Sequence, residues 1–382
     1  MSNNRPNLLS RLFSHAVYLV NVGAALWLGL CILAAFLSPA YVPYLAFFSL
    51  TTPFVIIINV VFVFLWLFSS RKLRSLLSFL VLLAGYKVVA TVFGLNYFGS
   101  NDMTRRATTI KIVSWNAHGM GIFNRPQNKQ FDAQILEFLK EENADILCVP
   151  EFSISKKDAL KPYAGDIIDN GHYIDYRFNP DNSLNNKVYL GTAVFSKYPF
   201  KNYETHELGE NIYMMQGDIE LSTSKMIRVY FVHLTTFGLS DKDKEYIDEA
   251  KRNKTEIEDD IQTSKSFVKK FKNAFVKRAG EADKAAAIIA TSPHPVILCG
   301  DFNDLPGSYT YTKLRAELND AFVEKGTGLG RTYNRISLTL RIDHFFYDPA
   351  GLRLVGFECP STGLSDHNPI ITNFEINPAP RR

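Results

Sequence analysis

Polar residues follow six separate apolar, strand-like runs of this 382-residue sequence. They are Asn116, Glu151, His233, the pair Asp301 and Asn303, Asp343, and the pair Asp366 and His367. Carboxylates bind hard divalent cations, carboxylates and imidazoles can take a proton from water, and amide or imidazole N–H groups can stabilise a charged oxygen. Side chains at the ends of separate strands converge on one rim of a sheet structure. Together, these residue types predict a site for metal-assisted cleavage of a phosphoester.

The sequence around these positions is more specific than the single residues. The motifs are Ser114-Trp115-Asn116, Pro150-Glu151, Gly191-Thr-Ala-Val-Phe-Ser-Lys-Tyr-Pro199, Gly300-Asp-Phe-Asn303, Arg341-Ile-Asp343 and Ser365-Asp-His-Asn-Pro369. With these motifs in this order, residues 111–374 resemble the endonuclease/exonuclease/phosphatase family, which includes deoxyribonuclease I, exonuclease III, neutral sphingomyelinases and inositol-phosphate 5-phosphatases. No motif position holds a residue that is unable to do its part, which argues against an inactive homologue.

The resemblance implies a divalent cation, Mg²⁺ or Mn²⁺, as cofactor. Glu151 would be its principal ligand, Asn116 would help hold the ion or its water, and Asp366 would complete a second position. Such an ion neutralises phosphate charge and stabilises the leaving oxygen.

The resemblance also implies the roles of five further residues. Asp301 would orient or deprotonate the attacking water, and Asn303 would donate to the phosphoryl oxygens. His233 would bind a phosphate oxygen. His367, oriented by Asp343, would stabilise the developing charge or act as the base, so the choice of base between Asp301 and His367 stays open.

The first quarter of the chain has a different composition from the rest. Three long apolar runs, at about 17–37, 44–68 and 76–95, approach or exceed the ~20 residues that cross a bilayer core. We therefore predict a membrane region at 1–95 that consists of a bundle of three transmembrane helices. Lys87 interrupts the third run, and a charged side chain makes a membrane crossing there less favourable than in the first two runs.

The distribution of basic residues predicts an orientation. Arg5 and Arg11 precede the first run, the loop at 38–43 is uncharged, and a second basic cluster separates the second and third runs: Arg71, Lys72 and Arg74. The positive-inside rule places both basic segments in the cytoplasm. With three crossings, the remainder lies outside the cytoplasm, attached to the cell (inner) membrane by a multi-pass anchor. If the third run does not cross, the remainder is cytoplasmic.

Beyond the apolar region, the hydrophobic pattern alternates between strands and helices. Both alternating and continuously apolar strand runs occur, and few helices separate the later ones. This pattern favours two sheets packed face to face, with helices outside, over a doubly wound parallel sheet. We predict an α+β fold, a four-layer α/β/β/α sandwich, for a catalytic domain at 110–376. A polar linker at 96–109 precedes it and a tail at 377–382 follows.

Charge and membrane attachment bear on the substrate. Residues from 110 onward carry 34 Lys and Arg against 37 Asp and Glu, a net charge of −3, so a broad surface for a polyanion is not indicated. An anchored enzyme would meet phospholipid or sphingolipid head groups and the lipid bilayer itself, whereas an extracytoplasmic nuclease acting on nucleic acid is the main alternative. A non-catalytic membrane scaffold is the alternative from another class. Nothing in the sequence points to a protein partner.

A charged segment at 240–290 contains a stripe of aromatic residues. Phe267, Phe271 and Phe275 recur at helical spacing among lysines. The pattern favours a helix whose phenylalanines pack on a sheet, with a basic amphipathic helix that touches an anionic membrane surface or a polyanionic substrate as the alternative.

Overall fold

The computed structural model describes residues 8–121, 129–155, 163–184, 188–221, 225–239, 243, 245–246 and 257–376. The predicted tail at 377–382 and Arg5 of the predicted basic N-terminus lie outside these residues.

The described residues contain fourteen strands, all beyond the apolar helices. In chain order, the described strands are β1 (Gly94–Leu95), β2 (Thr109–Ser114), β3 (Ile146–Ser155), β4 (Asp175–Leu184), β5 (Val188–Ser196), β6 (Phe200–Gly209), β7 (Ile212–Glu220), β8 (Met226–His233), β9 (Val296–Asp301), β10 (Asn319–Asp320), β11 (Thr327–Gly328), β12 (Asp343–Tyr347), β13 (Leu352–Glu358) and β14 (Ile370–Ile376).

These strands form two mixed six-stranded sheets and one small two-stranded sheet within the described residues. The first large sheet has the order β13-β14-β2-β3-β5-β4, and the second has the order β10-β12-β9-β8-β7-β6. Each contains one parallel pair, β2 with β3 and β8 with β9, among antiparallel neighbours. The two sheets are therefore built alike, with a parallel pair near the middle of each.

The main core lies between the two sheets. Ile112 and Cys148 of the first sheet pack with Phe231, Ile297 and Phe345 of the second, and all five are fully buried. The central strands are buried on both faces because helices cover the outer faces, which accounts for their continuous apolar runs.

The helices are arranged around this core and at the N-terminus. In chain order, the described α-helices are α1 (Leu8–Ala34), α2 (Thr52–Leu67), α3 (Ser75–Ala84), α4 (Tyr86–Val92), α5 (Lys129–Glu142), α6 (Ala164–Gly171), α7 (Ile257–Ile289), α8 (Tyr309–Arg315) and α9 (Ala321–Lys325). A second core joins α5 and α6 to the outer face of the first sheet, and a third joins α7 and α8 to the outer face of the second. The predicted four-layer α/β/β/α sandwich is confirmed.

The apolar N-terminal region forms two long helices and one bent pair. Leu9–Ala34 and Pro43–Leu67, the latter beginning as a 3₁₀-helix, are each long and apolar enough to span a membrane. The third predicted span is broken at Gly85, where Lys72–Ala84 and Tyr86–Val92 meet at 79°. The described residues therefore hold two such helices, or three if the bent pair counts as one span.

A buried polar network joins the first three of these helices. Asn21 of α1 donates to Ser78 of α3 (2.6 Å), and Ser78 donates to Asn59 of α2 (2.9 Å). Trp66 of α2 donates back to Asn21 (2.9 Å). Hydrogen bonds of this kind hold apolar helices together where no hydrophobic difference drives their association. The network therefore fixes how α1, α2 and α3 face one another.

The segment between the apolar helices and the sandwich lies against the sandwich. β1 pairs with β11 through Gly94 and Leu95. The backbone of Asp102 donates to Val355 (2.9 Å), and Asn373 donates to the carbonyls of Asp102 (3.2 Å) and Thr104 (3.0 Å). The predicted linker at 96–109 is thus bound along its length to the domain that follows it.

The aromatic stripe of α7 also contacts the N-terminal region. Phe271 and Phe275 pack on Phe47 of the 3₁₀-helix, with ring centroids 6.4 and 5.4 Å away, and on Phe237. The sequence pattern correctly indicated a packed stripe but predicted that it packs on a sheet, whereas neither Phe47 nor Phe237 lies in a strand. However, for these two rings the partners include the N-terminal apolar segment, which the helical spacing alone could not reveal.

Candidate active site

The first sheet brings together three of the predicted positions. Asn116 follows β2, Glu151 lies in the parallel neighbour β3, and Asp366 and His367 precede β14. Because β14 runs antiparallel to β2, with Ile370 opposite Ser114, the residues before β14 lie beside those after β2. The strand register alone therefore gathers these side chains at one rim.

The second sheet brings the other positions to the same rim. His233 ends β8 and is in register with Asp301, which ends the parallel strand β9. Asp343 begins the antiparallel strand β12 and pairs with Asp301. Gly300 has φ +139°, and a Cβ there would lie 1.9 Å from the Val232 carbonyl oxygen. Glycine is thus needed where β8 and β9 approach each other beside Asp301.

Two of the predicted residues have a backbone conformation that side chains rarely adopt. Glu151 and Asn303 both have φ +53°. Glu151 lies where the register of β3 and β5 shifts between Val149 and Phe152, and such bulges redirect a side chain. Strained backbone of this type clusters at functional sites.

Asp343, His367 and Asp301 form a buried chain. His367 Nδ1 donates to Asp343 Oδ2 (2.8 Å), and His367 Nε2 lies 3.9 Å from Asp301 Oδ2. Burial opposes protonation of this imidazole. The Asp343 charge, its hydrogen bond and the charges of Asp301 and Asp366 outweigh burial and raise the pKa of His367 to about 10. Near neutral pH, the site therefore favours the imidazolium form.

The Asp301 carboxylate is oriented by amide groups. Asn116 Nδ2 donates to Asp301 Oδ2 (3.1 Å), and the backbone N–H of Asn303 donates to Asp301 Oδ1 (2.8 Å). Burial and the nearby Asp343 charge raise the pKa of Asp301 to about 6, against the opposing charges of His367 and His233. A carboxylate with this pKa can exchange a proton near neutral pH.

Glu151 is held between an amide and three imidazoles. Asn116 Nδ2 donates to Glu151 Oε1 (3.1 Å), and His118 Nδ1 lies 3.3 Å from Glu151 Oε2. Burial acts to raise the pKa of Glu151. The hydrogen bond to His118 and the charges of His233, His118 and His367 outweigh burial and hold that pKa well below its usual range. Glu151 is therefore a carboxylate anion at neutral pH.

His233 presents an unpaired nitrogen to the site. Its Nδ1 faces Asp181 Oδ2 at 3.5 Å, while its Nε2 lies 3.9 Å from Glu151 Oε1. This Nε2 is buried and has no hydrogen-bond partner among the described residues. Burial lowers the pKa of His233, but the hydrogen bond to Asp181 and the charges of Asp301, Glu151 and Asp181 raise it to about 9. The unpaired N–H can bind an anionic oxygen.

The structure adds residues that the sequence reasoning did not assign. His118 Nδ1 lies between Glu151 and Asp366, 3.6 Å from Asp366 Oδ1. His118 is two residues after Asn116, and this proximity was a usable signal. Asp181, which supports His233, lies on the edge strand β4, and no motif marks it.

The donor set fits a divalent cation. Glu151 and Asp366 both direct an oxygen at His118 Nδ1, which marks a place where a positive charge is favoured between two carboxylates. Asp301, Asp343 and His367 have ligand atoms within 4.8 Å of one another, although the bond between His367 and Asp343 already uses one atom of each. Mg²⁺ and Mn²⁺ prefer carboxylate oxygens such as these as ligands.

All eight predicted residues are near one rim, and the cavity there is lined by six carboxylate, imidazole or amide side chains. The cavity has a volume of about 420 Å³, and its polar side is formed by His118, Glu151, Asp301, Asn303, Asp366 and His367. The cavity is also lined by apolar residues, which include Leu50 and Phe54 of the N-terminal region and which we call its apolar side. The cavity thus joins the two parts of the chain.

Comparisons with known proteins bear on both parts of the chain. The UPF0294 protein VP2298 of Vibrio parahaemolyticus is 30% identical over 83 residues, which is 22% of this chain and 28% of that protein. The matched segment is thus under a third of that relative's length. In the apolar region, residues 11–92 match a family described as a domain of unknown function (DUF8431).

Solved structures resemble the sandwich. The human Nocturnin catalytic domain with bound sulfate has a TM-score of 0.51 and 16% identity, covering 72% of this chain and 97% of that one. An endonuclease/exonuclease/phosphatase family protein from Bacteroides thetaiotaomicron also has a TM-score of 0.51 and 16% identity, covering 71% and 99%. These likenesses support the fold. Residues 113–367 match the family model described as the endonuclease/exonuclease/phosphatase family, and the chain therefore belongs to that family, whose members are hydrolases acting on phosphoester bonds.

Proposed function

We propose that this chain is a membrane-anchored hydrolase that cleaves a phosphoester, with a phosphodiester as the leading candidate, and requires Mg²⁺ or Mn²⁺. The observation that carries the proposal is the buried chain of Asp343, His367 and Asp301 beside the Glu151 carboxylate. A base, a protonated imidazole and a cation-binding carboxylate are the groups that attack of water on phosphorus requires.

In the proposed reaction, water attacks phosphorus and one phosphoester bond breaks. Asp301 takes a proton from the water, because its pKa of about 6 suits a base. His367 stays protonated and stabilises the charge that develops on the phosphoryl oxygens, in keeping with its pKa of about 10. Asp301 then gives up this proton to solvent and the leaving oxygen takes one up from solvent, so the net change is the addition of one water molecule across the bond.

His233 and Asn303 bind the phosphate in this proposal. The unpaired Nε2 of His233 donates to one phosphoryl oxygen. Asn303 uses one amide hydrogen to bind the Leu234 carbonyl (3.0 Å), which leaves its second amide hydrogen for another phosphoryl oxygen.

Glu151 and Asp366 hold the cation in this proposal. Asn116, whose amide donates to Glu151 (3.1 Å), holds that ligand in place or contacts the ion's water. When bound, the ion neutralises phosphate charge and stabilises the leaving oxygen.

We further propose that the catalytic domain lies outside the cytoplasm, on a cell (inner) membrane. In support, the sandwich packs on Phe47 near the uncharged loop, whereas Arg71 and Arg74 bond to Ser14 at the other end of the helices. The 16 residues of α2 separate these ends by roughly 24 Å. By the positive-inside rule, the end that carries Arg71 and Arg74 is cytoplasmic.

The test is hydrolysis by the full chain in lipid nanodiscs, measured on soluble bis(p-nitrophenyl) phosphate and on DNA. Activity should require Mg²⁺ or Mn²⁺, disappear in chelator and return on adding the ion. Glu151→Gln should raise the metal concentration needed for half-maximal rate by at least about tenfold. Asp169→Asn, on an exposed helix position, serves as the matched control. Full activity in chelator, or no cleavage of either substrate with either ion, would overturn the proposal.

A further inference from the structure

We propose that the substrate is an amphiphile, a phosphoester that carries an apolar chain, and that Leu50 and Phe54 of the N-terminal region help bind that chain. This inference rests on the proposed function and names its substrate class. The amphiphile that we propose is a lipid of the bilayer.

The first support is the lining of the cavity beside the candidate catalytic groups. Besides Asp301 and His367, the cavity is lined by apolar side chains from five separate parts of the chain: Leu50, Phe54, Phe237, Phe271, Leu305 and Ile336. A site that acts only on a charged, water-soluble phosphoester gains nothing from such a surface, because apolar side chains cannot replace the water around a phosphate. An alkyl chain gains binding energy from each methylene that it buries there.

The second support is the charge of the same cavity. Glu151, Asp301 and Asp366 contribute carboxylates, and among the described side chains that line it there is no lysine or arginine. Arg335 lies nearby and faces Asp366, at 3.5 Å. Proteins that bind a nucleic acid strand neutralise several successive phosphates with cations. The cavity thus suits one phosphate close to the metal ligands rather than a chain of phosphates.

The third support is the position of Leu50 and Phe54 in the fold. Leu50 lies in the 3₁₀-helix Pro43–Thr51, and Phe54 lies in the first turn of α2. Both lie within Pro43–Leu67, an apolar helix long enough to span a membrane, whose outer surface acyl chains would cover in a bilayer. A lipid chain beside Leu50 and Phe54 would bring its phosphoester to the cavity that Glu151 and Asp301 also line.

The size of the cavity agrees with one head group and the start of a chain. Its volume of about 420 Å³ lies in the range of sites for single small molecules, roughly 300–1,000 Å³. The Phe54 side chain is 51% exposed, so the apolar wall continues outward from the cavity. The remainder of a long chain would lie along that surface.

The test uses the full chain in nanodiscs and a series of p-nitrophenyl alkyl phosphodiesters, from methyl to hexyl, below their micelle-forming concentrations. We expect kcat/KM to rise about twofold per methylene, or roughly 30-fold over the series, against about fourfold per methylene for complete burial. Partition of longer chains into the nanodisc would also raise kcat/KM with chain length. The variants below therefore distinguish partition from binding in the cavity.

Phe54→Ala and Leu50→Ala should each flatten this dependence, because each should lower kcat/KM more for the hexyl ester than for the methyl ester. The matched control is Phe64→Ala on the same helix, because Phe64 is exposed to the same degree as Phe54 (54% against 51%) and does not line the cavity. Phe64→Ala should retain the wild-type dependence on chain length. Two variants at separate positions guard against a folding defect in one of them.

The outcomes separate the two proposals. If Phe54→Ala and Leu50→Ala keep the same chain-length dependence as Phe64→Ala, the rise comes from partition and the amphiphile proposal is overturned, while the hydrolase proposal stands. Cleavage of DNA in preference to every alkyl ester would have the same consequence. If neither DNA nor any ester is cleaved with either metal ion, the proposed function itself fails.

Discussion

The two sides of the cavity are held in place by different forces. On the polar side, hydrogen bonds fix the side chains, and positive φ angles constrain the backbone of Glu151 and Asn303. On the apolar side, Leu50 and Phe54 meet lining residues far away in sequence, and the nearby Phe47 packs on Phe271 and Phe275. Removing one member of a buried polar network leaves its partners unsatisfied, whereas an apolar surface loses binding in proportion to the area removed. The polar side should therefore tolerate almost no change, and the apolar side should respond gradually.

The largest effect should come from Asp301→Asn. The amide cannot take a proton from water, so kcat should fall by about 10²–10⁴-fold, with a smaller change in KM. The measurement is steady-state kinetics in nanodiscs, with the thermal unfolding temperature as a check on folding. A kcat within threefold of wild type would show that Asp301 is not the base.

A smaller effect, but a more specific one, should come from Asp343→Asn. The Asp343 charge and hydrogen bond counter the effect of burial and raise the pKa of His367, so their removal should lower that pKa. If protonated His367 is needed, activity should be lost at a lower pH in the variant as pH rises. The pH dependence of kcat/KM checks this: a basic limb at the wild-type position would contradict the assigned role of His367.

The smallest effect should come from Phe47→Ala, which loosens the apolar side without touching the polar one. Phe47 packs on Phe271 and Phe275, and aromatic pairs are worth about 0.5–1.5 kcal/mol each. We expect KM for the hexyl ester to rise about two- to tenfold at unchanged kcat. Equal losses of kcat on the methyl and hexyl esters would instead show that the two sides do not act separately.

The sequence was sufficient to predict the residues of the polar side because each of them lies next to the apolar run that marks its strand. A buried strand reads as an apolar run, and the polar residue that ends it, such as Asp301 after 296–300, is visible beside it. Parallel and antiparallel pairing then brings those ends together. The four-layer sandwich followed from the same runs. The assignment of roles to these residues stays a prediction.

Other features depended on contacts that no local pattern records. Asp181 supports His233 from an edge strand 52 residues away, and the contact between Phe47 and Phe275 joins the N-terminal region to α7. The bend at Gly85 lies within a continuous apolar run, and hydropathy does not distinguish a straight helix from a broken one. His118 was missed although it is close to Asn116, because its role depends on a turn in which Gly119 and Met120 have positive φ.

The attachment of residues 94–104 to the sandwich has a consequence for how the enzyme finds its substrate. Gly94 and Leu95 pair with β11, and Asp102 forms hydrogen bonds with the sandwich. The segment between the helices and the catalytic domain is therefore fixed to that domain. With the helices in a bilayer, the cavity would stay at a constant distance from the membrane surface. For the bilayer lipid that we propose as substrate, encounter would then depend on lateral diffusion, and the rate should follow the surface density of that lipid rather than its bulk concentration.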